Sequence, residues 1–320
     1  MKVSIIIPVF NAEPFLNDCV VSLVNQTYKN IEVIFVNDCS TDASLELLSC
    51  YAKKYSLHIV ILNNIKNSGT AFSRNTGVKA ASGEYIYFMD ADDTITSNCI
   101  ELLVKSAEQN GFPDIALCNV DVCGYYKKIE KKRLLIGNKS VRKSYFSHEW
   151  YEMPWNKLIR KAFLDNHALE FSPEIYFEDS LWSFETALKA ESILLLPDET
   201  YHYRKSETQK TARSDIEKST KDSLLLYEKM FERVDGLDSS LYLTNIAQGF
   251  LFSKFVLNKD YKELCYKELR KLFRIRTFFP AVFSAQIPIG MKIMLLYRLM
   301  PYNVGLRFLS FYASKVQKTH

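Results

Sequence analysis

Apolar residues in the first 120 positions fall into short runs, and between the runs they recur at helical spacing. Val3–Ile7 and Ile31–Val36 read as strands buried on both faces, and His58–Leu62 and Glu84–Met89 as two more strands. Pro8 ends the first run. Within Pro14–Gln26, residues Phe15, Leu16, Cys19, Val20, Leu23 and Val24 line one side of a helix. Leu45, Leu48, Ala52 and Tyr55 line a second helix, with Ser40-Thr41-Asp42 offering its N-cap. Ala71–Ala81 reads as a third, stopped near Gly83. Ile100–Gln109 and Ile115–Asn119 add one more helix and one more strand.

Strand and helix alternating across short connections predict an α/β fold, a parallel sheet with helices on both faces. Ligands of such sheets bind outside the carboxyl ends of the strands. The segments that follow the four strands are Pro8-Val9-Phe10-Asn11, Asn37-Asp38-Cys39-Ser40, Asn63-Asn64 with Asn67-Ser68-Gly69, and Asp90-Ala91-Asp92-Asp93. All four are polar, so the sequence predicts one polar binding edge.

Composition narrows what that edge serves. The 320 residues are 48% hydrophobic and 24% charged, which excludes a disordered or fibrous chain. A net charge of +4 is too small to require a nucleic-acid partner. The 7 cysteines are odd in number and contain no CxxC, arguing against a structural zinc site and for a reducing compartment. The opening apolar run is too short for a signal peptide, and no uncharged stretch reaches the ~18 residues of a membrane span, so a cytoplasmic location is expected. Charge is unevenly spread: Ser253–His320 holds 13 Lys/Arg against 3 Asp/Glu, among many Phe, Leu, Ile, Met and Tyr. Two readings stay open for this tail: a segment lying on the anionic inner face of a membrane through 254–320, or a helical cap with its charges in solvent.

The edge lacks GxGxxG after the first strand and lacks GxxxxGK[ST], so neither a dinucleotide fingerprint nor a P-loop is present. It offers carboxylates instead. Asp38 is placed to accept hydrogen bonds from a base or ribose. Asp90, Asp92 and Asp93 repel one another unless donors or a cation neutralise them, and a hard divalent ion sharing its shell with substrate phosphates meets that need. A solvated acidic turn is the plainer alternative for such a cluster; its position after a buried strand, in line with Asp38, favours the binding role.

At these residues the sequence resembles the family 2 glycosyltransferases, inverting enzymes of GT-A fold. The matching pieces are Val3–Asn11, Ser22–Asp42, Asn67–Gly77, Ala81–Asp93 and Phe177–Trp182. The likeness is close over about 1–125, patchier over 150–210 and absent beyond about 215. It implies a GT-A domain over 1–212, with a nucleotide-sugar half at 1–120 and an acceptor half at 121–212, followed by a helical region at 213–320. It implies that Pro8, Val9, Phe10, Asn11 and Asp38 hold the nucleotide, that Glu13 assists, and that Ser68, Gly69 and Arg74 lie beside it. Asp90-Ala91-Asp92 would be the DxD element, with Asp90 at the ribose or sugar and Asp92 binding Mn²⁺ or Mg²⁺. Asp93 would touch donor-sugar hydroxyls or brace the loop. Family members often carry Asp where this chain has Asn37.

Sugar transfer also needs a base for the acceptor hydroxyl. The resemblance implies Asp179 for that role, with Glu178 as second choice, at a helix start where a carboxylate anion is stabilised. Trp155 and Trp182 are candidates for stacking on an acceptor sugar, with core packing as the alternative for both. His202 is the best-placed histidine to complete a metal shell, and Arg204 and Lys205 are candidates for neutralising the diphosphate. The expected function is metal-dependent, inverting transfer from a nucleotide-diphosphate sugar, UDP by family analogy, to a saccharide or lipid-linked saccharide of the cell surface. The alternatives are transfer to a polyprenyl phosphate, and a non-catalytic nucleotide-sugar-binding scaffold subunit. The latter class often loses one carboxylate of the set, whereas Asp38, Asp90, Asp92 and Asp179 are all present.

Overall fold

β1 (Val3–Val9) and β2 (Ile31–Asn37) pair in parallel with Val3 opposite Ile31, and every residue of both is buried except half-buried Pro8. Their apolar runs exist because helices cover both faces. The computed structural model of the chain describes residues 1–121, 127–204, 216–234, 263, 266, 267, 270, 292 and 296–316. β3 (His58–Asn63) joins β2 in parallel and β4 (Tyr85–Phe88) joins β1 in parallel, so the carboxyl ends of four strands share one edge. The crossovers are α1 (Glu13–Val24), α2 (Ser44–Lys54) and α3 (Gly69–Ala80). α1 buries Leu16, Cys19, Val20 and Leu23. α3 reaches β1 at Gly77, where an added β-carbon would stand 2.4 Å from Cγ2 of Ile6, so only glycine lets the helix settle that close.

Beyond β4 the sheet becomes mixed. β5 (Thr94–Ile95) and α4 (Cys99–Gln109) lead to β6 (Ile115–Val120), then β7 (Arg133–Ile136) and α5 (Asn138–Phe146). β8 (Lys157–Arg160) inserts between β4 and β6, antiparallel to both. α6 (Lys161–Asn166) and α7 (Glu178–Lys189) precede β9 (Ser192–His202), which runs parallel to β6 and carries β5 and β7 antiparallel. The strand order is β3-β2-β1-β4-β8-β6-β9-β5, with β7 also on β9. The parallel sheet expected from the alternation therefore holds for the first four strands and again for the β6–β9 pair, while β8, β5 and β7 run against it. An apolar run identifies a strand but carries no information on the direction in which it pairs.

The chain divides into two compact units, Met1–Glu174 with Glu178–Gln209, and Ile175–Phe177 with Lys210–His320. In the second unit lie α8 (Ile216–Arg233), a 3₁₀ turn at Leu296–Leu299 and α9 (Tyr302–Val316). Tyr266 and Tyr297 are buried there with ring centroids 5.5 Å apart, and Arg270 donates to the Tyr266 hydroxyl at 3.1 Å and to the Met300 carbonyl at 3.0 Å. No helix among the described residues is long and apolar enough to cross a membrane. Cys19, Cys39, Cys50, Cys99 and Cys118 are free thiols, whereas Cys123, Cys265, Lys205 and the apolar stretch 277–291 lie outside the described residues.

Candidate active site

The loops after β1 and β2 are stitched together by main-chain donors. Asn11, in left-handed backbone with φ 48°, donates its N–H to Ser40 Oγ at 3.1 Å and accepts from the Thr41 N–H at 2.8 Å. Ala12 N–H donates to Ser44 Oγ at 2.9 Å and Glu13 N–H to Asp42 at 3.1 Å, while the Glu13 carboxylate accepts from the Ala43 N–H at 3.2 Å. The side chains of Ser40 and Asp42, expected at the α2 N-cap, thus serve the neighbouring loop, although Asp42 also accepts from the Ser44 N–H at 3.0 Å. Glu13 braces the two loops. Pro8 is half-buried, Val9 is buried and Phe10 is 46% exposed, a bare ring at the polar edge.

Asp38 is buried at the end of β2. One of its oxygens accepts from the Ser68 N–H and from Asn64 Nδ2, both at 2.8 Å, and the other from the Gly69 N–H at 2.7 Å. The two main-chain donors are orphans at the start of α3, where an anion is favoured. Gly69 has φ +87°, which suits glycine alone. Asp38 therefore organises the edge, and Ser68 and Gly69 reach it through their main chain. Asn37 suits this setting: its amide oxygen accepts from the Ser40 N–H at 3.2 Å and its nitrogen donates to Asn63 Oδ1 at 3.1 Å.

The acidic loop follows β4. Asp90 donates its N–H to the Tyr201 hydroxyl at 3.2 Å, and that hydroxyl donates to Asp93 at 2.6 Å. The Arg204 N–H donates to the other Asp93 oxygen at 2.8 Å. Asp93 is 1% exposed and Ala91 is 7% exposed, so both side chains are enclosed by the protein. Of the two expectations for Asp93, contact with the donor sugar gives way to bracing of the loop, because its carboxylate is enclosed by Tyr201 and Arg204. Burial, and then the charge of Asp90, push the Asp93 carboxyl up to about 8. Half-buried Asp92 lends its carbonyl to Arg204 Nε at 3.1 Å, while the Arg204 guanidinium also reaches Asp18 at 2.7 Å and lies 5.5 Å over the Phe15 ring. Arg204 thus ties the loop to α1. His202 sits with Nδ1 3.1 Å from Asp121, and among the described residues no group of three or more His, Cys, Asp or Glu is arranged to hold a metal. The hard oxygens and surplus negative charge of Asp90 and Asp92 fit a divalent cation whose shell a donor diphosphate completes.

The two halves of the site meet at Arg74. This arginine is 5% exposed, donates to Asp90 at 3.0 Å and to Glu178 at 3.4 Å, and lies 5.3 Å over the Phe171 ring. Burial would lower its proton affinity, but the charges of Asp90, Glu178 and Asp179 more than offset this and raise it. Asp179 opens α7 beside Glu178 and accepts from the Ser180 N–H at 2.8 Å. Burial pushes the Asp179 carboxyl above the usual carboxylate range, against the pull of Arg74. A carboxylate so raised is a stronger base.

The tryptophans lie beneath the site. Trp155 is 2% exposed and stacks on Tyr201 with centroids 4.5 Å apart. Trp182 is 1% exposed, stacks on Phe171 at 4.7 Å and meets Phe88 edge-on at 5.7 Å. Stacking on an acceptor sugar, expected for both as one of two roles, is corrected by this burial: each indole's faces are spent on aromatic neighbours. The reading along the chain missed Tyr201 and Asn64 as loop braces. Their signal was present, a tyrosine before His202 and an asparagine beside the Asn67-Ser68-Gly69 turn, but their partners are distant in sequence.

The sequence model described as glycosyl transferase family 2 matches residues 4–168. A glycosyltransferase of Bacillus subtilis, EpsJ, is 35% identical over 220 residues, 64% of this chain and 61% of its own length. The poly(ribitol-phosphate) beta-glucosyltransferase of Bacillus spizizenii is 34% identical over 213 residues, 63% of this chain and 32% of its own. The chain thus spans less than two thirds of either relative. TarS 1-349 of S. aureus, solved with UDP-GlcNAc, shares the GT-A fold at TM-score 0.79 and 20% identity, over 100% of this chain and 93% of its own. With the acidic loop, the Asp38 edge and the Glu178-Asp179 helix start assembled on this sheet, the chain belongs to glycosyl transferase family 2.

Proposed function

We propose that the protein transfers a sugar, with inversion, from a UDP-sugar to a saccharide or lipid-linked saccharide of a cell-surface polysaccharide. The observation that carries the reading is Arg74, which joins Asp90 of the acidic loop to the Glu178-Asp179 helix start. Donor edge and base are thereby held at one place, as a displacement at the anomeric carbon requires. The nucleotide lies along the loops after β1 and β2, against Phe10 and the main chain that Asp38 orders. Asp92 would hold Mn²⁺ or Mg²⁺ beside the donor's phosphates, where the ion would supply electrostatic stabilisation for the leaving diphosphate. Asp179 takes the proton of the acceptor hydroxyl, whose oxygen attacks opposite the diphosphate. Arg74 keeps Glu178 and Asp90 from repelling one another while Asp179 acts. Residues 1–212 serve as the transferase domain and 213–320 as its appended region.

The test is nucleotide release from a panel of UDP-, GDP- and dTDP-sugars with extracted lipid-linked saccharide as acceptor, with Mn²⁺ and with EDTA, on wild type and Asp92→Ala. Release from one UDP-sugar that needs metal and is lost in Asp92→Ala is expected. Folded protein that binds no nucleotide in calorimetry overturns the reading.

The basic, apolar tail supports contact with the inner face of a membrane and a lipid-linked acceptor. On α9, Val304 is 52% and Phe311 61% exposed, about two turns apart with exposed Arg307 between them, and Leu299 before the helix is 65% exposed. Apolar side chains beside arginine suit an anionic lipid surface. Flotation with vesicles containing anionic lipid, lost in the double variant Val304→Ser, Phe311→Ser, is expected; equal flotation of both proteins counts against this contact.

A further inference from the structure

Asn75 lies in the motif Asn67–Gly77, next to Arg74, and no step of the mechanism uses it. Its half-buried side chain closes a clamp on Phe171, 96 positions away in the irregular chain between α6 and α7. Asn75 Nδ2 donates to the Phe171 carbonyl at 2.8 Å, and Asn75 Oδ1 accepts from the Phe171 N–H at 2.9 Å. Phe171 belongs to no helix or strand, so its main-chain groups have no ladder to join. A primary amide meets both needs at once, because it carries a donor and an acceptor side by side.

The Phe171 ring is 2% exposed and links three elements. The Arg74 guanidinium of α3 lies 5.3 Å over it, the Trp182 indole of α7 stacks on it at 4.7 Å and 12°, and Phe88 of β4 meets it edge-on at 5.4 Å. Trp182 Nε1 has no hydrogen-bond partner among the described residues, so packing fixes the indole. Trp182 follows Glu178 by four residues and Asp179 by three, which places it one turn along the same face of α7. Arg74 closes the circuit by donating to Glu178 at 3.4 Å. Two adjacent residues of α3 thus grip Phe171 by its main chain and by its ring, and that ring supports the helix on which the base stands. We propose that Asn75 is a positioning residue for the transfer: by holding the Phe171 main chain it sets the ring against Trp182 and fixes where the Glu178-Asp179 end of α7 stands. This rests on Asp179 being the base. The side-chain hydrogen bonds of Asn75 go to Phe171 and not to Asp38 or the acidic loop, so its removal disturbs the base and leaves the nucleotide edge in place.

The test uses the whole chain with 5-fluorotryptophan in place of tryptophan. Signals in the ¹⁹F spectrum are assigned by their loss in Trp182→Phe and Trp150→Phe. In Asn75→Ala the Trp182 signal is expected to move and that of Trp150 to stay. In the same variant kcat for transfer is expected to fall about tenfold to a hundredfold, the scale set by a misplaced reacting group, while UDP affinity by calorimetry is unchanged. Damage to stability alone would leave kcat of the folded variant at the wild-type value, and that result overturns the proposal. A Trp182 signal that stays in place overturns it too, as does a loss of UDP affinity equal to the loss of kcat. Should Asn75→Ala not fold, Phe171→Leu keeps the main-chain clamp and removes the ring, and its kcat and UDP affinity are judged in the same way. The functional reading fails separately. Wild-type protein that binds no nucleotide, or Asp179→Asn as active as wild type, overturns the base assignment and this proposal with it. Inactive Asp179→Asn beside fully active Asn75→Ala overturns Asn75 alone.

Discussion

Arg74 and Glu178 stand 104 positions apart in the chain and meet at 3.4 Å, with the arginine almost wholly enclosed. One guanidinium on α3 thereby supports the acidic loop after β4 and the first residues of α7. Removing it takes the positive charge of Arg74 away from Asp90, Glu178 and Asp179 together. Arg74→Met is expected to lower folding stability by about 3 to 5 kcal/mol, the cost of breaking a buried ion pair from one side. Urea unfolding of the two proteins measures it, and turnover in the variants that stay folded should fall with it. A variant as stable and active as wild type would show that the three carboxylates do not depend on Arg74.

Asp38 makes a separable prediction, because its oxygens are committed to the protein. Asp38→Ala removes acceptors from Ser68, Gly69 and Asn64 at once. Loss of such a cap costs about 1 to 2 kcal/mol. Both the urea midpoint and the UDP affinity by calorimetry should drop. A drop in affinity with unchanged stability would mean that the carboxylate serves the ligand alone.

Acid sensitivity should trace to Glu32, far from the catalytic edge. It is buried beneath Lys2, whose ammonium lies 2.6 Å away, and it also accepts from Ser4 and Ser82. Burial alone would raise its carboxyl, but these bonds hold it at about 2 against an ordinary 4.5. A carboxyl lowered by folding adds stability that is complete above pH 4.5 and is lost as pH falls towards 2. The gap corresponds to about 3 kcal/mol at most. Unfolding free energy measured from pH 7 down to pH 2.5 should therefore fall less steeply in Glu32→Gln than in wild type.

Trp182 should behave as core. Trp182→Ala is expected to cost about 3 to 5 kcal/mol and Trp182→Phe about 1 to 2 kcal/mol. In the folded Trp182→Phe protein the acceptor KM should match wild type. A raised acceptor KM at unchanged stability would return the indole to the acceptor site.

The first four strands, their crossover helices and the shared polar edge were legible along the chain, since periodicity is a local property that survives without partners. Asp90, Asp92 and the Glu178-Asp179 pair were legible as chemistry because several acids in a row after a strand or at a helix start stand out from their neighbours. The alternatives left open for Asp93, Trp155 and Trp182 were of another kind. Whether a side chain is enclosed depends on what comes over it, and Tyr201 covers Asp93 from 108 positions away while Phe171 and Phe88 cover Trp182 from other elements.

By itself, then, the sequence determined the order of strands and helices, the edge at which a ligand would bind and the acidic character of that edge. Tertiary structure decided the antiparallel insertion of β8, the commitment of Asp38 to the start of α3, the bridge from Arg74 to Glu178 and the burial of both indoles. The reason is physical. Local pattern reflects backbone periodicity and side-chain type within one turn or one strand, whereas charge state, exposure and hydrogen-bond partners are fixed by groups that only folding brings within a few ångströms.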